Sequence, residues 1–294
     1  MLKSTTVVPG QHPSTGPAAG PPIDVQSSAT TQPAAIAVNL GSGRTHVWVA
    51  GRGSLSCPTA NTVGTAGSPV RRGRVADGPS CIGVLSQLIR QYRDPVPAGC
   101  VVVVCRPVLA TVAEQYAVRR VVAAVLAPSR VLFIDTVRAA AIGAGAAAGS
   151  LLIADIGAEV SEVAVLQNGR VTAARRTDLG THDLKRGAPT ELLARATTRM
   201  INEVRHDPAA QALVPAALTR GLVVVGDGAM TPSLTLQIAA SLRIPVRSAA
   251  APWTAALNGA GLAAMSAARH PATRWPPGAT TPAPTSRRRK RTGP

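Results

Sequence analysis

Hydrophobic positions between residues 34 and 268 fall into short apolar runs that alternate with stretches of helical periodicity. AAIAVNL (34–40) and THVWVAG (45–51) read as two strands joined across Gly41-Ser42-Gly43, and CIGVLSQLIRQY (81–92) places its apolar residues at helical spacing. CVVVVC (100–105) is unbroken and apolar, as a strand buried on both faces requires. The pattern then predicts a helix over 111–127, a strand over 131–136 and a small-residue helix over 138–148. At Leu151 it starts again. LLIADI leads into the alternating Val163 and Val165, and Asn168-Gly169 turns the chain back, so 151–177 reads as a hairpin or meander. A helix over 190–205, a strand over 221–229, a helix over 232–242, a strand over 244–248 and a helix over 254–268 complete the series. The chain reads as an α/β protein in two related halves, one opening at Ala34 and one at Leu151. Residues 1–33 and 269–294 are rich in Pro, Ser, Thr, Gly and Ala without periodicity, and are expected to be disordered tails.

Composition sharpens this picture in three places. Aromatic residues are only 2% of the chain against 46% hydrophobic, so the core is filled by Val, Leu, Ile and Ala, and no platform for stacking nucleic-acid bases is visible. The formal net charge of +17 favours anionic partners and is densest at Arg287, Arg288, Arg289, Lys290 and Arg291. That cluster reads as a contact for anionic membrane or as a solubiliser; nucleic acid ranks last among its partners. Cys57, Cys81, Cys100 and Cys105 have neither metal-site spacing nor a His cluster beside them, so they read as buried thiols of a reducing compartment. With no apolar targeting segment and no run of about 18 apolar residues, a cytoplasmic location is expected, peripheral at the inner membrane face if the basic cluster binds lipid.

Candidate chemistry sits in three glycine turns that each close a strand: Asn39-Leu40-Gly41-Ser42-Gly43, Asp155-Ile156-Gly157-Ala158 and Gly226-Asp227-Gly228-Ala229. Glycine at a strand end lets backbone N–H groups approach an anion without a Cβ in the way. The first two head the hairpins of the two halves and would face each other across a cleft. The third would open a helix whose N-terminus could meet an adenosine or its phosphates.

These segments, in order, resemble the bacterial actin family of MreB and Mbl. AIAVNLGSGRTHVWVAGRG is similar to the family's first phosphate motif, D-L-G-T and its strand. SPVRRGRVADGPSCIGVLSQLI resembles P-M-R-D-G-V-I-A-D and the helix after it, and VVVVCRPVLATVAEQYAVRRVV the next strand, turn and helix. FIDTVRAAAIGAG resembles I-E-E-P-M-A-A-A-I-G-A-G, LLIADIGAEVSEVAVLQNG resembles D-I-G-G-G-T-T-E-V-A-V, and GLVVVGDGAMTPSL with IPVRSAAAPWTAALNGAG resembles the adenosine motif and last helix. The resemblance implies an actin-like, ribonuclease H-like core of two lobes, 34–150 (IA) and 151–268 (IIA), each a mixed sheet flanked by helices. It also implies nucleotide contacts from Gly41, Ser42, Gly43, Asp155, Gly157, Gly226, Gly228 and Ala229, with Asp155 as the metal-side carboxylate.

The departures from the family motifs point away from hydrolysis. Asn39 replaces the first-motif Asp and offers Mg²⁺ no negative charge. Thr136 stands where the family's catalytic Glu activates water, and is too weak a base to replace it. Ala158, Glu159 and Val160 replace Gly, Gly and Thr. An unpaired Glu159 about 4 Å from polyphosphate would cost on the order of 4 kcal/mol at an effective dielectric of about 20. The expectation is weak ATP or ADP binding, a doubtful Mg²⁺ site and an accessory scaffold role beside a full-length MreB-type filament or cell-wall synthesis proteins. In the alternative, Glu159 supplies the missing carboxylate of a rewired actin-type ATPase. Residues 52–67 and 188–220, where the family inserts its outer subdomains IB and IIB, fall short of the roughly 40 residues an independent unit needs, so both are expected to be missing. His46 reads as a packing residue, Asp135 as a strand-end carboxylate, and Arg119-Arg120 and Arg175-Arg176 as solvated positions.

Overall fold

The computed structural model describes residues 34–60 and 68–270. The first half supplies strands β1 (Ala35–Leu40), β2 (Arg44–Val49) and β3 (Gly53–Pro58), then a two-residue hairpin of β4 (Val70–Arg71) and β5 (Arg74–Val75). Helix α1 (Gly78–Ile89), strand β6 (Val101–Arg106), helix α2 (Val112–Leu126), strand β7 (Arg130–Asp135) and helix α3 (Thr136–Gly143) follow. The second half runs β8 (Ser150–Ile156), β9 (Ser161–Gln167), β10 (Arg170–Thr177), α4 (Thr181–Lys185), α5 (Thr190–Arg205), α6 (Val214–Arg220) and β11 (Leu222–Val225). It ends with a one-turn 3-10 helix (Asp227–Met230), α7 (Pro232–Leu242), β12 (Val246–Ser248) and α8 (Ala255–Arg269).

The two halves build the same sheet. The order β3-β2-β1-β6-β7 in one is β10-β9-β8-β11-β12 in the other, with an antiparallel meander on one side and two parallel strands on the other. Three apolar layers hold the sheets. Ile36, Val38, Val102 and Val104 face Leu85, Leu88 and Val122 of α1 and α2 on one outer side. Leu152, Ala154, Val163 and Val224 face Leu193, Ile201 and Ile238 of α5 and α7 on the other. Between the sheets lies a third layer, in which α3 and α8 pack on each other and on residues of both sheets, among them Ala37, Val103, Ile153 and Val223. Val103 and Val104 point to opposite layers, which is why β6 is apolar without alternation.

Several expectations needed adjustment. β3 reads GSLSCP, too polar and exposed to register as a strand in sequence, yet it extends the first sheet along β2. α4 and α6 are also additions, and 188–220 is filled by α5 and α6 packed on the second sheet. Helix α3 spans 136–143 rather than 138–148, because Gly145 takes φ +64° just beyond its end. The strand expected over 221–229 stops at Val225, where Gly226 takes φ +78°. The tails 1–33 and 269–294 lie outside the described residues, apart from His270 and the last residue of α8. Among the described residues no helix is long and apolar enough to cross a membrane.

Helix α2 begins with a reciprocal cap. The Thr111 hydroxyl accepts the Glu114 N–H at 3.2 Å, while Glu114 Oε2 accepts the Thr111 N–H at 2.6 Å. Thr111→Ala removes one partner of this pair and is expected to cost about 1 kcal/mol. Urea unfolding should show a lower midpoint with the slope unchanged; a midpoint equal to that of the wild type would contradict the role given to the cap.

Candidate functional site

Two tight turns meet at the centre of the molecule. In the β1–β2 turn the Gly41 N–H donates to the Arg44 carbonyl at 3.1 Å, and a Cβ on Gly41 would stand 2.7 Å from that oxygen, so the turn needs glycine. In the β8–β9 turn the Gly157 N–H donates to the Val160 carbonyl at 2.9 Å. The carbonyls of Gly157 and Ala158 accept the N–H groups of Thr181 and His182 at 3.0 and 2.7 Å, which fixes α4 against the turn. The turns touch: a Cβ on Gly43 would lie 2.8 Å from the Ala158 Cβ and 3.5 Å from His182 Nε2.

Beneath them lies a cavity of about 120 Å³, lined by Asn39, Gly41, Ser42, Gly43, Thr136, Asp155, Gly157 and Gly226 among others. Sequence-predicted residues from three distant segments therefore converge. Gly228 and Ala229 do not line it; Gly228 lies against the Ile156 side chain and Ala229 against the core beneath α7. The third turn opens a single 3-10 turn rather than α7 itself. Gly226 is pressed on the Asp155 carboxylate, where any side chain would collide. A second chamber of about 310 Å³ adjoins through His46, Asp227 and the half-exposed Trp253.

The floor is electrostatically unusual. Asp155 pairs across the β8–β9 ladder with Glu162, which is itself buried. Burial, and then the neighbouring Asp227, push the Asp155 carboxyl up to about 7. Glu162 is raised well above the usual range by burial and by Asp155, against the opposing Val108 N–H bond and Arg176. Burial and Arg44 lower His46 to about 4, so its ring is neutral, as its reading as a packing residue requires. The Thr136 hydroxyl donates to the Arg106 carbonyl at 2.8 Å, and Asp135 accepts from Arg106 Nε at 2.9 Å.

Asn39 offers a Mg²⁺ ion no charge, and the described residues contain no group of three or more His, Cys, Asp or Glu placed around one point.

Glu159 overturns one expectation. It is 6% exposed but not unpaired: the Arg72 N–H donates to Oε2 at 2.9 Å, and Arg186 Nη2 reaches Oε1 at 3.4 Å. Arg72 comes from the β4–β5 hairpin of the other half, and no local sequence signal marks this pairing. Arg175 and Arg176 are not solvated positions either. Arg175 pairs with Glu203 and Asp207, and the Arg176 side chain is only 8% exposed. Residues 287–291 lie outside the described residues.

The family model described as MreB/Mbl protein matches residues 31–187, just over half of the chain. The chain belongs to the MreB/Mbl family. No curated protein matches it. Among solved structures it is similar to MreB 5 of Spiroplasma citri bound to AMPPNP, at 16% identity and TM-score 0.70, over 80% of this chain and 97% of that one. A MamK double helical filament matches at 14% identity and TM-score 0.64, over 78% and 98%. The ethanolamine utilization protein EutJ from Carboxydothermus hydrogenoformans matches at 19% and 0.54, over 78% and 89%. At these identities the likeness concerns the fold, which is the actin-like one that the MreB/Mbl resemblance implied.

Proposed function

We propose that this MreB/Mbl family member is a non-hydrolysing bacterial actin homologue that serves as a scaffold in cell-shape determination or cell-wall synthesis. It would work beside a full-length MreB-type filament or wall-synthesis proteins in the cytoplasm, with residues 287–291 adding attraction to anionic lipid. The observation that carries the loss of hydrolysis is the contact of Gly43 with Ala158 over a cavity of about 120 Å³. Ligand pockets usually run from roughly 300 to 1,000 Å³, so the space beneath the turns is too small for a triphosphate, which would have to extend into the adjoining chamber or part the two turns. Thr136 adds to this, because a hydroxyl is too weak a base to activate water in place of a carboxylate. If ATP or ADP binds, as AMPPNP does in the MreB 5 structure, Ser42 and those turn N–H groups not bonded within the turns would receive its phosphates, and binding would be weak. The two sheets with their helices would serve as lobes IA and IIA, with neither IB nor IIB inserted. The rewired-ATPase alternative needs a free Glu159, whose oxygens are already engaged by Arg72 and Arg186.

Thermal melting of the whole chain with and without ATP and Mg²⁺ tests this reading. A ligand that binds only the folded state adds about 2.7 kcal/mol at 100 times its dissociation constant. The expected shift at millimolar ATP is close to zero, with phosphate release at background. Turnover that disappears in Asp155→Ala would refute it.

A further inference from the structure

The mouth of the cleft is crossed by a network of charges that joins the two halves. Arg72 and Gly73 form the tip of the β4–β5 hairpin, and both have positive φ, +49° and +70°. That two-residue geometry suits Asn-Gly; an arginine there is strained and must be held by its surroundings. Four sets of contacts hold it. The Arg72 N–H donates to Glu159 Oε2, and the Arg72 guanidinium places its two terminal nitrogens 3.2 Å from the two oxygens of Asp183. Arg72 also donates to the Asp178 carbonyl, and its own carbonyl accepts from Arg176. Around this tip Arg74 pairs with Glu114 at 2.6 Å and Asp178 at 2.9 Å, and Arg186 with Glu159. Four guanidinium groups thus meet the four carboxylates of Glu114, Glu159, Asp178 and Asp183.

Glu159 differs from the rest of this network. Isolated exposed pairs contribute little, but Glu159 is almost fully buried, with the Arg72 N–H on one oxygen and Arg186 on the other, and a buried carboxylate that loses such a partner is costly. Separating the halves would remove the Arg72 N–H from it. The hairpin is tied to the first turn as well: the Gly73 N–H donates to Ser42 Oγ at 3.2 Å, and Ser68 Oγ donates to the Ser42 carbonyl at 3.1 Å. One carboxylate therefore binds the second turn to a hairpin already fastened to the first.

We propose that Glu159 is a built-in anion that takes the bridging place of a nucleotide phosphate and holds the two halves closed in the absence of nucleotide. The inference rests on the reading of the cleft as the family's nucleotide site. It makes closure a property of the chain and not of a ligand.

Hydrogen exchange of the whole chain without nucleotide tests it, with Glu159→Ala as the main variant and Arg186→Ala, at a side chain 61% exposed, as the mild one. Exchange across residues 69–75 and 157–160 should rise about tenfold in Glu159→Ala and less in Arg186→Ala, while β6 and β8 stay protected. In the wild type, raising NaCl from about 50 mM to about 1 M should speed the same two segments, since a charge network is screened. ATP with Mg²⁺ should slow these segments again in Glu159→Ala and leave the wild type unchanged. If 69–75 and 157–160 exchange alike in wild type, both variants and high salt, the lock is overturned. If Glu159→Ala does not fold, the Arg186→Ala and salt results decide. ATP turnover by the wild type would instead defeat the proposed function, while the nucleotide-free exchange would still decide the lock.

Discussion

Gly259→Ala is expected to destabilise the protein by about 3 kcal/mol, although the same exchange in an ordinary helix interior gains about 1 kcal/mol. The opposite sign comes from the crossing of α3 and α8. A Cβ on Gly259 would fall on the Ala139 carbonyl, and one on Gly143 would fall on the Ala255 carbonyl. The contact is reciprocal: each glycine takes the backbone of the other helix one turn before that helix's own glycine. Neither carbonyl can give way as a side-chain end would, so the helices must separate and loosen the apolar layer between the sheets. Gly83 in α1 is the internal control, since a Cβ there meets nothing within 4 Å, and Gly83→Ala should stabilise by about 1 kcal/mol. Adding Gly143→Ala to Gly259→Ala should cost much less than the sum, because the first substitution has already parted the helices. Chemical denaturation of the three single variants and the double variant measures all of this. A Gly259→Ala protein as stable as Gly83→Ala would refute the close crossing.

The second large effect concerns pH. An unfolded Asp155 titrates at its ordinary value of 3.8, and the native one at about 7. Between these values the native state binds the extra proton, so stability is greatest at the acid end of the window and falls as pH rises through it. Above pH 7 the loss amounts to roughly 4 kcal/mol. Asp155→Asn cannot ionise and escapes most of this loss. Its advantage over the wild type should grow by about 3 kcal/mol between pH 5 and pH 8. Glu162 lies opposite and titrates together with Asp155, so the midpoint of the change belongs to the pair. Urea unfolding at each pH supplies the test, and parallel profiles for the two proteins would show that Asp155 is charged in the native state.

What the sequence disclosed followed the strength of the local physical signal. Helices α5 and α7 were legible to the residue because their apolar positions keep one period from end to end and Pro stands at or just before their first turns. β6 was legible within a residue because no polar position interrupts it. β3 was not, because an edge strand carries no burial pattern: its sheet partner is the backbone of β2, which any sequence can pair with. The turns around the site were legible through Gly41, Gly157 and Gly226; a Cβ would collide at Gly41 and Gly226 and be tightly crowded at Gly157. Glu159 was visible as an oddity, and its meaning was not. Its partners Arg72 and Arg186 lie 87 and 27 residues away, and nothing in a charge pattern says which arginine meets which carboxylate.

The glycine crossing has a mechanical side. Gly143 lies about 10 Å along α3 from Thr136 at the cleft floor. At the crossing point itself backbone meets backbone, so no side chain there must be unseated when one helix turns on the other, whereas pulling the helices apart or pressing them together is costly. The contact is stiff along one direction and smooth in rotation, like the rivet of a pair of scissors. Torque at such a rivet meets little resistance where it is applied and is borne at the tips of the blades, where Arg72 faces Glu159.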